Sequence, residues 1–330
     1  MKTAFARFLI IAMLVGIPAA ASAAGLSVAQ ASAIVGLLRA FGAEESIVSA
    51  VSNILMPPSA DTAPDPAPVV SAPADPPPIV TYTRPSTVGS PYVSSNIGYD
   101  LSFGTTAYPQ LPFGFGVVGI TRGKAFVHND RAASEYSWAR FGSSVPTVYM
   151  NVNAPYGSTA TSANMSAPKA CGALFTGATS ADGYPEPTAC GAYNYGYNAA
   201  KDAYAYASGH GIPSTLWWLD IEEANSWSAD TAVNDAVIQG AMDYLNTQNL
   251  RVGIYSVPFM WKNIAGDGFT PVQTLGVKAA ATPTWFPIGI SNQVKALNSC
   301  LTHASFIPSS PVWVIQYEAD STSVDQNIAC

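Results

Sequence analysis

The feature that most constrains the fold is an alternation that begins near residue 96. Short apolar, β-rich runs at 97–103, 115–121, 147–152, 215–222, 251–257, 284–290 and 312–317 are separated by helical patterns near 130–141, 194–209, 230–248 and 292–300. Strands that alternate with helices favour parallel pairing, with each helix crossing back over the sheet. Seven or eight such strands between residues 94 and 330 predict an α/β fold, a TIM-like (β/α) barrel, regular or irregular. An open doubly wound sheet is the alternative. No GxGxxG turn follows the first run, so a dinucleotide site has no support. The segment 155–192 interrupts the alternation and is rich in Gly, Ser, Thr, Ala and Pro. A long excursion in a compact domain needs a reason. A disulfide-tied element beside an active-site mouth is one reading, and a surface insertion of no functional weight is the other.

The N-terminal third reads differently. Lys2 and Arg7 precede the short apolar run Phe8–Ile17, and Ala21-Ser22-Ala23 is a small-residue cleavage pattern. Residues 1–23 therefore read as a signal peptide, and the chain as a secreted one without an integral membrane segment. Residues 24–56 carry two short helical patterns, each marginal alone. Residues 57–93 are a linker dominated by Pro, Ala, Asp, Ser and Thr, a composition that favours extended conformations.

An exported chain with four cysteines favours disulfides, and three pairings are possible. Cys171–Cys190 and Cys300–Cys330 are preferred because they close local loops. The three histidines are scattered and no cysteine pair has a CxxC spacing, so neither a metal nor another cofactor is expected. The net charge of -7, with no Lys/Arg cluster, argues against nucleic acid as a partner, because phosphate neutralisation supplies most of such affinity.

The strongest chemical signal is Trp217-Trp218-Leu219-Asp220-Ile221-Glu222-Glu223. Residues two apart on a strand share a face, so Asp220 and Glu222 project together, with Cα atoms about 6.5–7 Å apart. Two acids so placed oppose each other's ionisation, and one of them can keep a proton near neutral pH. Solvated acids at a strand end are the plainer reading. Asp100 ends the first run, and Asp325 follows the last one closely.

In type and order, Gly98-Tyr99-Asp100-Leu101-Ser102, Asp220-Ile221-Glu222, Gly253-Ile254-Tyr255-Ser256, Gln316-Tyr317 and Asp325-Gln326-Asn327 resemble the motifs of the lysozyme-like family 25 glycoside hydrolases. Ala192–Gly196, Trp217–Trp227 and Cys330 resemble an exported bacterial branch of such domains. The 24–56 helices resemble peptidoglycan-binding-like modules. The family resemblance implies a β-1,4-N-acetylmuramidase acting on cell-wall peptidoglycan. Glu222 is then general acid/base. Asp220 polarises an acetamido group or stabilises the cationic transition state, and Asp100 and Asp325 hold the network's charge. The excursion at 155–192, the sequence Ile120-Thr121-Arg122-Gly123-Lys124 and the two local disulfides depart from the family pattern.

Flat aromatic faces bind the apolar faces of sugars. Tyr149, Tyr255, Tyr317 and Trp227, with the amides Asn225 and Gln316, are candidate substrate contacts. Core filling is the competing reading for any single aromatic. Two further functional readings use the same residues. One is a wall-glycan-binding protein without hydrolysis, and the other an exported hydrolase of another polysaccharide.

Overall fold

The computed structural model describes residues 89–105, 107–180, 183–276, 278–319 and 324–330. The expected signal peptide, the expected helical module at 24–56 and residues 57–88 of the expected linker lie outside them. Eight strands close into a barrel: β1 (Ile97–Leu101), β2 (Phe115–Gly119), β3 (Thr147–Asn151), β6 (Leu216–Asp220), β7 (Arg251–Tyr255), β10 (Thr284–Ile290), β11 (Val312–Glu318) and β12 (Gln326–Ala329). The first seven pair parallel, and β12 lies antiparallel between β11 and β1. Seven strands match the apolar runs of the sequence. The eighth was too short and polar to stand out by pattern alone, although its Asp325-Gln326-Asn327 motif did.

The barrel is irregular because its connections differ. Helices α1 (Ala132–Ala139), α3 (Ala189–Gly209), α4 (Thr231–Thr247), α5 (Pro258–Ala265) and α6 (Gln293–Thr302) follow β2, β3, β6, β7 and β10. No described helix joins β1 to β2 or β11 to β12. The return to β12 is direct, which forces the antiparallel pairing. Helix α5 was not anticipated, since its eight residues show too little periodicity. No described helix is long and apolar enough to cross a membrane.

Alternation along the strands separates two apolar layers. Leu101, Val118, Met150, Trp217, Leu219 and Ile254 face the helices. Phe115, Val117, Tyr149, Leu216, Trp218 and Trp285 fill the barrel. Each fully buried large side chain contributes about 1.5–3 kcal/mol relative to exposure. Two inward glycines make room for the rings. A Cβ on Gly253 would lie 2.3 Å from the Trp218 ring, and one on Gly119 2.7 Å from the Tyr149 ring. Tyr92, just inside the expected linker boundary, packs into the same layer. Its hydroxyl bonds to Thr147 Oγ1 at 2.6 Å and accepts from Trp218 Nε1 at 3.0 Å. Outside the barrel, α3 and α4 meet through glycines. A Cβ on Gly196 would sit 2.0 Å from the Val237 carbonyl oxygen, and one on Gly240 2.0 Å from that of Tyr193. The glycine of the Ala192–Gly196 motif thus has a packing role.

The 155–192 excursion is built rather than structureless. It holds a 3-10 turn (Gly157–Thr159), α2 (Ser162–Met165) and a hairpin of β4 (Phe175–Thr179) and β5 (Pro185–Pro187). The Cys171–Cys190 disulfide ties it to the first turn of α3, and Cys300–Cys330 ties α6 to the end of β12. Both are the preferred pairings. Side chains of α3 pin the excursion further. Asn194 Nδ2 donates to the Met165 and Lys169 carbonyls at 2.8 and 2.9 Å, and Asn198 Nδ2 to those of Asn164 and Ala167 at 3.0 and 2.8 Å.

Candidate active site

The C-terminal ends of the parallel strands surround a cavity of about 410 Å³. Its walls include Asp100, Asp220, Glu222 and Asp325, with Tyr149, Asn225, Tyr255 and Gln316. Eight of the ten residues expected to act or bind are therefore brought together at one mouth, the place where barrels carry their chemistry.

One acidic centre stands on β6. Asp220 is buried at the strand end, and Glu222, two residues on, is half-buried and open to the cavity. The two carboxyl groups are close enough to influence each other's proton affinity. Neighbouring carboxyl groups resist double ionisation, so one proton is favoured between them. Burial, more than any other influence, raises the affinity of both for that proton, and the charge of Glu222 adds to the effect on Asp220. Asp220 Oδ2 accepts from Asn151 Nδ2, while Asp220 Oδ1 is buried without a conventional donor. Asn151 cannot turn its amide over. Its Oδ1 accepts from Thr121 Oγ1 at 2.8 Å and from the Gly123 N–H at 3.0 Å.

The Glu222 backbone is held separately. Its carbonyl accepts from Trp227 Nε1 at 2.7 Å and from the Asn225 N–H at 3.0 Å. Glu223 points away, and its Oε1 accepts from Asn263 Nδ2 at 2.7 Å.

The second centre gathers β1, β11 and β12. Asp100 Oδ1 accepts from Gln316 Nε2 at 3.0 Å and from Asn327 Nδ2 at 2.7 Å. Each amide is oriented in turn. Tyr255 donates its hydroxyl to Gln316 Oε1 at 2.8 Å, and Trp285 Nε1 donates to Asn327 Oδ1 at 2.8 Å. Burial, reinforced by the nearby charge of Asp325, lifts the Asp100 carboxyl to about 8. Asp325 is raised to about 6, by burial and then by the charges of Glu318 and Glu222. Among the described residues no group of three or more His, Cys, Asp or Glu side chains is arranged to hold a metal ion.

Residues 134–276 match the family described as Lys-1, lysozyme-like protein 1. The middle of this chain is similar to that lysozyme-like family. That stretch runs from within α1 to β8 (Gln273–Leu275), short of its hairpin partner β9 (Lys278–Ala280), and carries Asn151, Asp220, Glu222 and Tyr255. Lysozyme-like protein 5 of Caenorhabditis elegans is 33% identical over 90 residues, which are 27% of this chain and 41% of that protein. The match thus spans less than half of that relative. Among solved structures, a family GH25 lysozyme from Aspergillus fumigatus shares 12% identity at a TM-score of 0.42, covering 71% of this chain and 93% of that one. The modular Cpl-1 endolysin complexed with a peptidoglycan analogue shares 15% identity at a TM-score of 0.37, covering 72% and 55%.

Two expected contacts are corrected by the geometry of the site. Tyr317 does not line the cavity. It follows the inward Gln316 by one residue, so the pleat turns its ring outward, where it is buried with Phe286 and Ile315 and donates to Gln326 Oε1 at 2.7 Å. Trp227 lies behind the wall, bracing the Glu222 carbonyl rather than facing the cavity. Sequence reasoning missed Asn151, Thr121, Trp285, Ser102 and Phe103. For Asn151 a signal existed: it is two residues beyond Tyr149, at the C-terminal end of a strand, the same spacing that identifies Asp220 and Glu222.

Proposed function

We propose that this chain is a secreted, bacterial-type muramidase that cleaves β-1,4 bonds of cell-wall peptidoglycan. The observation that carries this reading is the Asp220–Glu222 pair, two carboxyl groups sharing one proton at the floor of an open cavity. A glycosidic bond breaks when its leaving oxygen gains a proton and the sugar left behind gains positive charge. The pair is suited to both demands. When a sugar enters, the shared proton, which burial favours on Asp220, passes to Glu222 beside the leaving oxygen. Asp220 is left with the negative charge, which the Asn151 amide stabilises, beside the developing cation or the neighbouring acetamido group. Asp100, neutral at pH 7, offers a hydrogen bond to the substrate without adding a third charge. Tyr149, Tyr255 and Trp285 supply flat walls for sugar rings. The two disulfides fit an oxidising, extracytoplasmic compartment.

Clearing of a suspension of purified cell walls tests the reading. Glu222→Gln keeps the shape but has no proton to give, so the rate should fall by about 10²–10⁴-fold. Glu223→Gln, outside the cavity, should stay near the parent rate. Full activity of Glu222→Gln overturns the assignment. A parent protein that binds walls and never clears them replaces it with the glycan-binding reading, and release of reducing ends from some other polysaccharide replaces the substrate.

A further inference from the structure

We propose that Tyr156, at the start of the excursion, and Tyr184, between β4 and β5, form a sugar-stacking subsite that supports the glycan chain where it leaves the cavity. This rests on the glycan reading above. The two rings lie 4.5 Å apart at their centroids and are inclined by 54°. They are 37% and 40% exposed. Among the described ring pairs it is the one with both members exposed. Burying aromatic surface is favourable, and among the described residues most rings are buried or half-buried. A pair presented to water on a pinned scaffold therefore marks a binding surface rather than unfinished packing.

The chain path joins this pair to the site. Asn151 lines the cavity, and three residues later the Ala154 N–H donates to the Ser226 carbonyl at 2.8 Å, next to the cavity residue Asn225. Tyr156 is two residues beyond. Its backbone is held firmly from below. Thr159 Oγ1 donates to the Tyr156 carbonyl at 2.9 Å and bonds to the Tyr195 hydroxyl at 2.8 Å, and that hydroxyl also accepts from Asn153 Nδ2 at 3.0 Å. The turn bearing Tyr184 is closed by the Ser180 N–H on the Tyr184 carbonyl at 2.8 Å and by the Tyr184 N–H on Ser180 Oγ at 3.1 Å. A backbone held this way gives up little freedom when a ligand docks. A cavity of about 410 Å³ has the size of a site for one small ligand. A polymer must continue past it, and the inclined rings offer one flat face for a sugar and a second against its edge.

The test uses the full chain carrying Glu222→Gln, so that bound oligosaccharide is not consumed, and calorimetric titration with a trisaccharide and a hexasaccharide of peptidoglycan. In that background, Tyr156→Ala with Tyr184→Ala should weaken the hexasaccharide by about tenfold and leave the trisaccharide unchanged. Tyr184→Leu keeps an apolar neighbour for Tyr156 but loses the flat face, and should show most of the same loss. Tyr184→Phe should show none. Unchanged hexasaccharide affinity in the alanine and leucine variants overturns the subsite while leaving the muramidase reading intact. Equal loss for both oligosaccharides also overturns it, since the rings would then be shaping the cavity itself. Binding of neither oligosaccharide by the Glu222→Gln parent overturns the glycan reading and the subsite together.

Discussion

Two carboxylate centres share the mouth of this barrel, and they solve the same electrostatic problem in opposite ways. On β6, Asp220 and Glu222 neutralise each other through one proton, with a single amide, from Asn151, on the buried member. On β1, Asp100 sits between two amides, each fixed from behind by a hydroxyl or an indole. The first centre contains a proton that a ligand can redistribute. The second contains one that burial holds on Asp100 while the two amide donors pull the other way. The difference teaches where a proton can move: a neighbouring carboxylate gives it a second place to go, whereas the amides around Asp100 only donate and cannot take it.

Amide substitution at each centre breaks or sharpens that contrast. Asp220→Asn ends the sharing and removes the charge opposite the developing cation, so wall clearing should fall by about 10²–10⁴-fold. Asp100→Asn copies the neutral carboxyl that the parent already holds at pH 7, and should cost about tenfold or less. Equal losses in the two variants would mean that Asp100 works in its ionised form.

The bracing of the first centre should register in stability. Asn151→Ala leaves the Asp220 carboxyl, the Thr121 hydroxyl and the Gly123 N–H without their partner. Each unsatisfied buried group costs about 1–3 kcal/mol. The denaturant midpoint should drop with an unchanged slope, and a midpoint equal to the parent's would show that water replaces the amide at no cost.

A further effect is on the pH dependence of folding. In the folded chain Asp100 holds its proton to about pH 8 and Asp325 to about pH 6, whereas an unfolded aspartate releases it near pH 4, at about 3.9. Between these values the folded state binds more protons, so stability is greatest at the acid end and is lost as pH rises toward 8. Thermal midpoints measured from pH 5 to 8 should decline. Asp100→Asn should flatten the decline above pH 6. Parallel slopes in parent and variant would place the titration on another group.

What could be read before folding follows from what carries a period. Seven strands were visible because each is an apolar run between turn residues, and the acids because Asp220 and Glu222 obey the two-residue repeat of a strand. Asn151 carried only its parity with Tyr149, and Thr121 and Trp285 were not legible, since a hydroxyl or an indole near a strand end has no signature until its partner on another strand is known. Parity alone separates Gln316 from Tyr317: neighbours on one strand cannot both face the cavity, and the acid network claimed Gln316. The excursion was visible only as an interruption, because its order comes from α3 side chains and a disulfide rather than from its own pattern.

Strand β12 has a consequence in time as well as in space. Asp100 and Asn327 are 227 residues apart in sequence, and Asp100 and Gln316 are 216 apart. Contacts of such separation form late, after the entropy of closing the intervening loop has been met. The parallel strands can assemble neighbour by neighbour, but the ring is sealed only when β12 slots between β11 and β1. Until then Asp100 is an ordinary solvated acid, ionised at neutral pH. Closing the barrel is thus coupled to the uptake of a proton, and the last step of folding should slow as the solution becomes more alkaline.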